Sequence, residues 1–142
     1  MVTGFNSKVC TLAKITTASL TKSNQLIKAF AGKHETGKTN RDVEAIQVDG
    51  TEVHYMPRRL TKTYPSLKLI WIFNCGLKEI TREDLVGLEN IETLILYNNK
   101  LTSLPDDLLE GMRKLIWIDF GGNQLEFVSS QLLRPVLGNQ LS

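Results

Sequence analysis

Apolar residues recur along most of the chain with a fixed period of 24 residues. In each copy they occupy the first, fourth, sixth, ninth and eleventh positions of the repeat, where the ninth position also accepts Asn or Thr. The copies are Val43, Ile46, Val48, Thr51, Val53; Leu67, Ile70, Ile72, Cys75, Leu77; Ile91, Leu94, Leu96, Asn99, Leu101; and Leu115, Ile118, Phe120, Asn123, Leu125. Three strong copies in register are difficult to obtain by chance, so the chain is predicted to consist of stacked repeats.

This spacing is the leucine-rich-repeat pattern, L-x-x-L-x-L-x-x-N/C-x-L. The L-x-L alternation predicts one short parallel strand per repeat, followed by a turn and an irregular or short helical return. The predicted fold is an α/β solenoid with its strands on the concave face. The ninth position is expected to hold a structural ladder that bonds the backbone of successive turns. Its members are Thr51, Cys75, Asn99 and Asn123.

The 24-residue period holds over only part of the chain and so divides the chain into two regions. Residues 43–142 are predicted to form the repeats, which start at 43, 67, 91 and 115, and residues 1–42 lack the period but contain enough apolar residues to pack as an N-terminal cap. No C-terminal cap is recognisable after the last repeat. We therefore expect the chain to be a fragment of a longer array, the product of a truncated gene model, or a protein whose last coil is covered by a partner.

Two segments of the repeats, residues 73–80 (Phe-Asn-Cys-Gly-Leu-Lys-Glu-Ile) and 64–67 (Tyr-Pro-Ser-Leu), and two cap-like segments, 9–12 and 37–43, have a characteristic sequence. Through these segments the chain resembles extracellular leucine-rich-repeat proteins of insects. This resemblance implies a secreted or membrane-anchored recognition protein without enzymatic activity. The resemblance also implies a signal peptide, which this sequence does not show, so a cytoplasmic location stays open.

Composition narrows the remaining function classes. A net charge of +2 is too small to indicate nucleic-acid binding, and the short cluster of Arg58, Arg59 and Lys62 is expected to be solvated. No apolar stretch reaches the 18–20 residues that a membrane span needs. Two cysteines allow at most one disulfide, which leaves the compartment undecided.

One segment offers an alternative function, nucleotide binding. Residues 32–39 (Gly-Lys-His-Glu-Thr-Gly-Lys-Thr) satisfy the nucleotide-binding pattern G-x-x-x-x-G-K-[ST], in which Lys38 would contact phosphates and Thr39 would hold magnesium. A P-loop must open a helix, and only three residues separate this segment from the first repeat. The two histidines, His34 and His54, stand at no metal-ligand spacing, and no nucleophile–base set can be assembled. The protein is therefore predicted not to be an enzyme, with no cofactor and no metal.

The strongest functional signal lies between the core positions of the strands. Side chains at the third, fifth and seventh repeat positions should project from the concave face. They predict a partner-binding surface, which we call the concave patch, formed by Leu69, Trp71, Phe73, Ile95, Tyr97, Trp117 and Asp119. Exposed aromatic surfaces mark interaction sites, so a protein partner is expected, with a glycan or a homodimer as alternatives. An assembly role, in which the exposed C-terminal coil pairs with another chain, is a further hypothesis.

Overall fold

The computed structural model describes residues 12–14 and 36–137. Its strands are β1 (Leu12–Lys14), β2 (Ala45–Asp49), β3 (Leu69–Phe73), β4 (Thr93–Ile95) and β5 (Trp117–Asp119). The helices are α1 (Leu60–Thr63) and α2 (Ser130–Leu137), and two short 3₁₀ helices cover Asn40–Asp42 and Arg82–Leu85. Each predicted repeat contributes one strand.

The strands form a single parallel sheet in the order β1-β2-β3-β4-β5. The register pairs residues 24 positions apart, so that Ile46, Ile70, Leu94 and Ile118 are neighbours across four strands. Because side chains alternate between the two faces of a strand, these residues all point to the same side. They form the centre of the hydrophobic core.

Burial follows the position of each repeat in the stack. Ile46, Ile70 and Leu94 are completely buried, because each lies between two neighbouring coils. Ile118 is only partly buried, since β5 has no further strand beside it among the described residues. A single coil cannot enclose its own apolar side chains, and stacking creates the continuous core.

The return segments on the other side of the sheet are short and irregular. Thr81 and Asp84 form a capping box at the second 3₁₀ helix, in which the Asp84 carboxylate accepts bonds from the Thr81 amide and hydroxyl. Arg58 of the preceding coil donates to the same carboxylate, which is buried, and also pairs with Glu83. This bond to Asp84 raises the pKa of Arg58. The expectation that the Arg58 cluster is merely solvated was wrong for Arg58, which links two coils.

A turn with left-handed backbone follows each repeat strand at the eighth repeat position. Its occupants, Gly50, Asn74, Asn98 and Gly122, have φ values of 61°, 56°, 53° and 66°. Glycine and asparagine are the residues that adopt this conformation at low cost. Glycine or asparagine at the eighth repeat position thus recurs with the same 24-residue period as the strands.

The two glycines of this column allow a matched test of turn strain. Gly122→Ala is expected to lower the free energy of unfolding by about 2–4 kcal/mol, because strain adds to a contact of the new Cβ with the Asn98 backbone at 3.1 Å. Gly50→Ala suffers only the strain, since nothing lies within 4 Å of its Cβ, and should cost about 1–2 kcal/mol. Urea denaturation measures both, and equal losses would contradict the close approach of Gly122 to Asn98.

At the two ends of the sheet, the described residues extend the stack. β1 pairs in parallel with β2, with Leu12 opposite Ala45, whereas residues 9–11 of the cap-like segment lie outside the described part. After β5, helix α2 buries Leu132 and Val136 against the core. No helix within the described ranges is long and apolar enough to cross a membrane.

Candidate binding surface

The register places the predicted surface residues in columns across the sheet. Ala45, Leu69, Thr93 and Trp117 are partners in one column, and Gln47, Trp71, Ile95 and Asp119 are partners in the next. Asp49 pairs with Phe73 at the start of a third column, which the repeat continues to Tyr97 and Gly121. The structure therefore brings all seven residues of the concave patch onto one face.

Exposure increases along the patch from β3 towards β5. Trp71 and Phe73 are half-buried and lie against each other, with ring centroids 4.8 Å apart and planes tilted by 33°. Tyr97 and Trp117, in contrast, are 47% and 58% exposed. Leu69 and Ile95 are also half-buried. The water-facing part of the patch is thus its end near β4 and β5.

A polar row borders the patch at the carboxyl ends of the strands. The Asn74 side chain donates to the Asp49 carboxylate, with 3.0 Å between Nδ2 and Oδ1, and the Asn98 side chain donates to the Asn74 amide oxygen. These asparagines belong to the left-handed turn column, and sequence reasoning did not identify them as surface residues. The signal available in the sequence was that both residues are asparagines, a turn-forming type, and that they lie one repeat period apart.

The ninth repeat position lies beneath this row and is engaged with the backbone. Asn99 is buried and accepts at Oδ1 from the amides of Cys75 and Leu77, at 3.2 and 3.0 Å. Its Nδ2 group donates to the carbonyls of Ile72, Leu96 and Tyr97. A single side chain therefore satisfies five backbone groups that no regular sheet ladder reaches.

The other residues at the ninth repeat position form only some of the hydrogen bonds that Asn99 forms. Asn123 accepts from the Leu101 amide and donates to the carbonyl of Leu96, 27 residues earlier. Cys75 donates its thiol to the carbonyl of Val48, also 27 residues earlier, with 3.5 Å between the atoms. The thiol thus binds the same backbone position that an asparagine amide binds in later repeats. The Thr51 hydroxyl donates locally to the Asp49 carbonyl.

Cys75 is a buried free thiol, and burial raises its pKa. With Cys10 replaced by serine to leave one reporter, alkylation of Cys75 by iodoacetamide at pH 7.5 is expected to be about 100-fold slower in the folded protein than in denaturant, because the thiolate is the reactive form. A raised folded pKa also means that the stability contributed by this thiol is complete below its ordinary pKa and is lost as pH rises above it. Equal alkylation rates would show that Cys75 is accessible.

The nucleotide-binding alternative fits the described residues poorly. Thr39 caps the three-residue 3₁₀ helix Asn40–Asp42, and its hydroxyl is engaged with the Asp42 carboxylate. Lys38 lies 3.8 Å from the same carboxylate. The first four residues of the segment, 32–35, lie outside the described part. A P-loop needs a full helix whose amides face phosphate, and β2 begins before such a helix can form.

Two further candidates for chemistry are metal-binding clusters in the described part of the chain and the two histidines. No group of three or more His, Cys, Asp or Glu side chains there could hold a metal ion. The His54 ring lies beside Gly76, 3.7 Å from the position of a Cβ. His34 lies outside the described residues.

Comparison with known proteins agrees with the geometry. The family profile described as leucine rich repeat matches residues 65–125 and 89–135, which together span half of the chain. No curated protein matches the sequence. The predictions of leucine-rich-repeat membership and of a parallel-stranded solenoid are confirmed.

Among solved structures, the chain is similar to one in the Toll–Spatzle complex of Drosophila, a molecular hub in development and innate immunity. The TM-score is 0.63 at 20% identity, and the match covers 67% of this chain and 13% of that chain. The glycosylated form of the complex gives a TM-score of 0.64 at 20% identity, with 68% and 13% covered. The chain therefore spans about an eighth of the length of these neighbours, and the likeness shows the fold.

Proposed function

The chain belongs to the leucine-rich-repeat family, and we propose that it is a non-catalytic recognition module that binds a protein partner through the concave patch. Leucine-rich-repeat solenoids are interaction modules in general, whereas the site on each of them is set by its own surface residues. The observation that carries the proposal is the exposure of Tyr97 and Trp117 on the face opposite the core.

The energetics of these side chains favour binding. Tryptophan and tyrosine are enriched among the few interface residues that dominate binding energy, because they bury a large rigid area for little lost entropy. Trp71 and Phe73, on the neighbouring strand β3, pack on each other, which restricts the conformations of this part of the surface. A partner would therefore meet a surface that is already organised.

An extracellular place of action is part of this proposal. It rests on the resemblance to extracellular insect proteins of the same family and on the structural likeness to a chain of the Toll–Spatzle complex. That chain was solved as part of a complex, Toll–Spatzle, which supports a protein partner for this chain.

The proposal is tested by selecting displayed random peptides on the immobilised protein. Selection runs in parallel on wild type, on a Tyr97→Ala/Trp117→Ala double variant and on Phe127→Ala. Phe127 is the matched control, because it is an aromatic residue, 74% exposed, that lies outside the sheet. Peptide families shared by wild type and Phe127→Ala but lost from the double variant support the patch. The same families on all three proteins would contradict it.

A specific observation favours assembly as a second candidate. Ile116 is exposed at the second repeat position, where the earlier repeats carry the charged residues Glu44, Lys68 and Glu92. Leu137, in helix α2 after β5, is also exposed, so apolar side chains face water at the β5 end of the stack. Light scattering should then detect a dimer that Ile116→Lys abolishes, and a wild-type monomer at high concentration would rule this role out.

A further inference from the structure

We propose that a basic cavity beside the first two predicted repeats binds a sulfated sugar chain. The cavity has a volume of about 1040 Å³ and is open to solvent. Its lining includes three cationic residues and three polar ones, namely Lys38, Arg41, Lys62, Thr39, Asn40 and Thr63. These residues precede β2 and β3 and none of them belongs to the concave patch. The inference is therefore independent of the proposed function.

The two walls of the cavity come from equivalent positions of consecutive coils. Lys62 and Thr63 follow Lys38 and Thr39 by 24 residues, which is the repeat period. In the next coil the lysine position is occupied by Val86, which is 65% exposed. The stacked pair of lysines is thus a local feature of the surface and not part of the pattern that builds the core.

Both walls are attached to the hydrophobic core. Thr39 and Asp42 form a capping box at the 3₁₀ helix Asn40–Asp42, and Val43 directly after it is buried. On the other wall, helix α1 begins with Leu60 and is followed by Tyr64, and both side chains are buried. The backbone of the cavity is therefore held before a ligand arrives, which lowers the entropic cost of binding.

The positive charges of the cavity are available to an anion. Within the described ranges Arg41 and Lys62 form no ion pair, although five ion pairs occur there. Lys38 lies 3.8 Å from Asp42, and the two side chains are 42% and 38% exposed, so this pair is weak. Three cations on one cavity repel one another, and a bound anion relieves this repulsion.

A sulfated sugar fits this cavity better than a nucleotide or a nucleic acid. Several sulfate groups along one chain match several separate cations, and the Thr63 hydroxyl can bond a sugar hydroxyl. Among the described lining residues there is no aromatic ring on which a base could stack. A net charge of +2 also provides too few cations for a nucleic-acid surface. A volume near 1000 Å³ is sufficient for a short oligosaccharide.

The test is calorimetric titration of the full chain with a heparin-derived hexasaccharide. The fully desulfated hexasaccharide and ATP are titrated in parallel at the same ionic strength. We expect saturable binding of the sulfated sugar and binding of the other two that is at least about 10-fold weaker. The Lys38→Gln/Arg41→Gln/Lys62→Gln variant should bind the sulfated sugar about 10-fold more weakly. It should fold normally, because all three side chains are exposed, and circular dichroism verifies this.

The matched control is Lys78→Gln/Lys100→Gln/Lys114→Gln. It removes the same three charges from exposed positions that do not line the cavity. Its affinity for the sulfated sugar should change less than about twofold. Equal losses in the two triple variants would reduce the binding to net charge and overturn the cavity as a site. Absence of binding, equal binding of the desulfated sugar, or tighter binding of ATP would also overturn the proposal.

The double variant Tyr97→Ala/Trp117→Ala separates this site from the concave patch. It should bind the hexasaccharide as wild type does, because neither residue lines the cavity. Loss of sugar binding in this variant would place the sugar on the concave patch and contradict the cavity. Displayed peptides that depend on the two rings report on the proposed function alone, so either proposal can fail without the other.

Discussion

Asn99→Ala is expected to lower the free energy of unfolding by about 3–4 kcal/mol. The change removes the acceptor of two buried amides, Cys75 and Leu77, and the donor that reaches three carbonyls. Each buried group left without a partner costs about 1–3 kcal/mol, and adjustment of the surrounding backbone recovers part of the sum. Guanidinium denaturation followed by circular dichroism measures the loss.

Asn123→Ala is the control, because it removes the same side chain from the same repeat position in a more exposed coil. Water can replace the lost bonds there, so the expected loss is about 1–2 kcal/mol. A loss below 1 kcal/mol at Asn99, or equal losses at the two sites, would contradict the view that buried amide ladders stabilise this solenoid.

The Tyr97→Ala/Trp117→Ala double variant is expected to bind a patch-dependent peptide at least about 100-fold more weakly than wild type. Each ring is a candidate for the class of interface residue whose truncation costs about 2 kcal/mol or more. The fold should be unaffected, since both side chains are largely exposed and lie outside the core cluster. Isothermal titration calorimetry gives the affinities, and thermal denaturation verifies the fold.

Single variants separate the two rings. Trp117→Ala should cause the larger part of the loss in affinity, because tryptophan offers the larger contact area and is the more exposed of the two residues. Phe127→Ala should change the affinity less than threefold. Equal affinities of wild type and the double variant would show that the two rings are not part of the binding site.

The sequence predicted the strands and their register well, because the period constrains both. Leu94 and Ile70 are core residues since the L-x-L alternation admits no other face, and Asn99 stands at the repeat position that the pattern assigns to a residue bonding successive turns. These features depend on contacts between equivalent positions of neighbouring coils. Because the repeats share one pattern, such contacts can be predicted from a single sequence.

Contacts that break the period were not predictable in the same way. Arg58 reaches Asp84, which is 26 residues ahead and not at the equivalent position of the next repeat. Burial of Asp84 depends on how irregular return segments pack, and their conformation has no simple sequence signature. The sequence therefore indicated a solvated cluster where the structure has a link between two coils.

The sequence predicted which residues lie on the concave patch, but it did not predict how exposed each of them is. The alternation predicts that Trp71 and Tyr97 share a face, yet it does not show that Trp71, which packs against Phe73, is half-buried while Tyr97 is exposed.

The most direct measurement is a chemical-shift map of the ¹⁵N-labelled protein titrated with the tightest displayed peptide. Recognition through the concave patch predicts the largest shifts at residues of β4 and β5, including Tyr97 and Asp119, and at the indole N–H of Trp117. Resonances of the return segments, such as the 3₁₀ helix Arg82–Leu85, should move little. Shifts concentrated in the return segments or in α2, with the Trp117 indole unmoved, would contradict binding on the concave face.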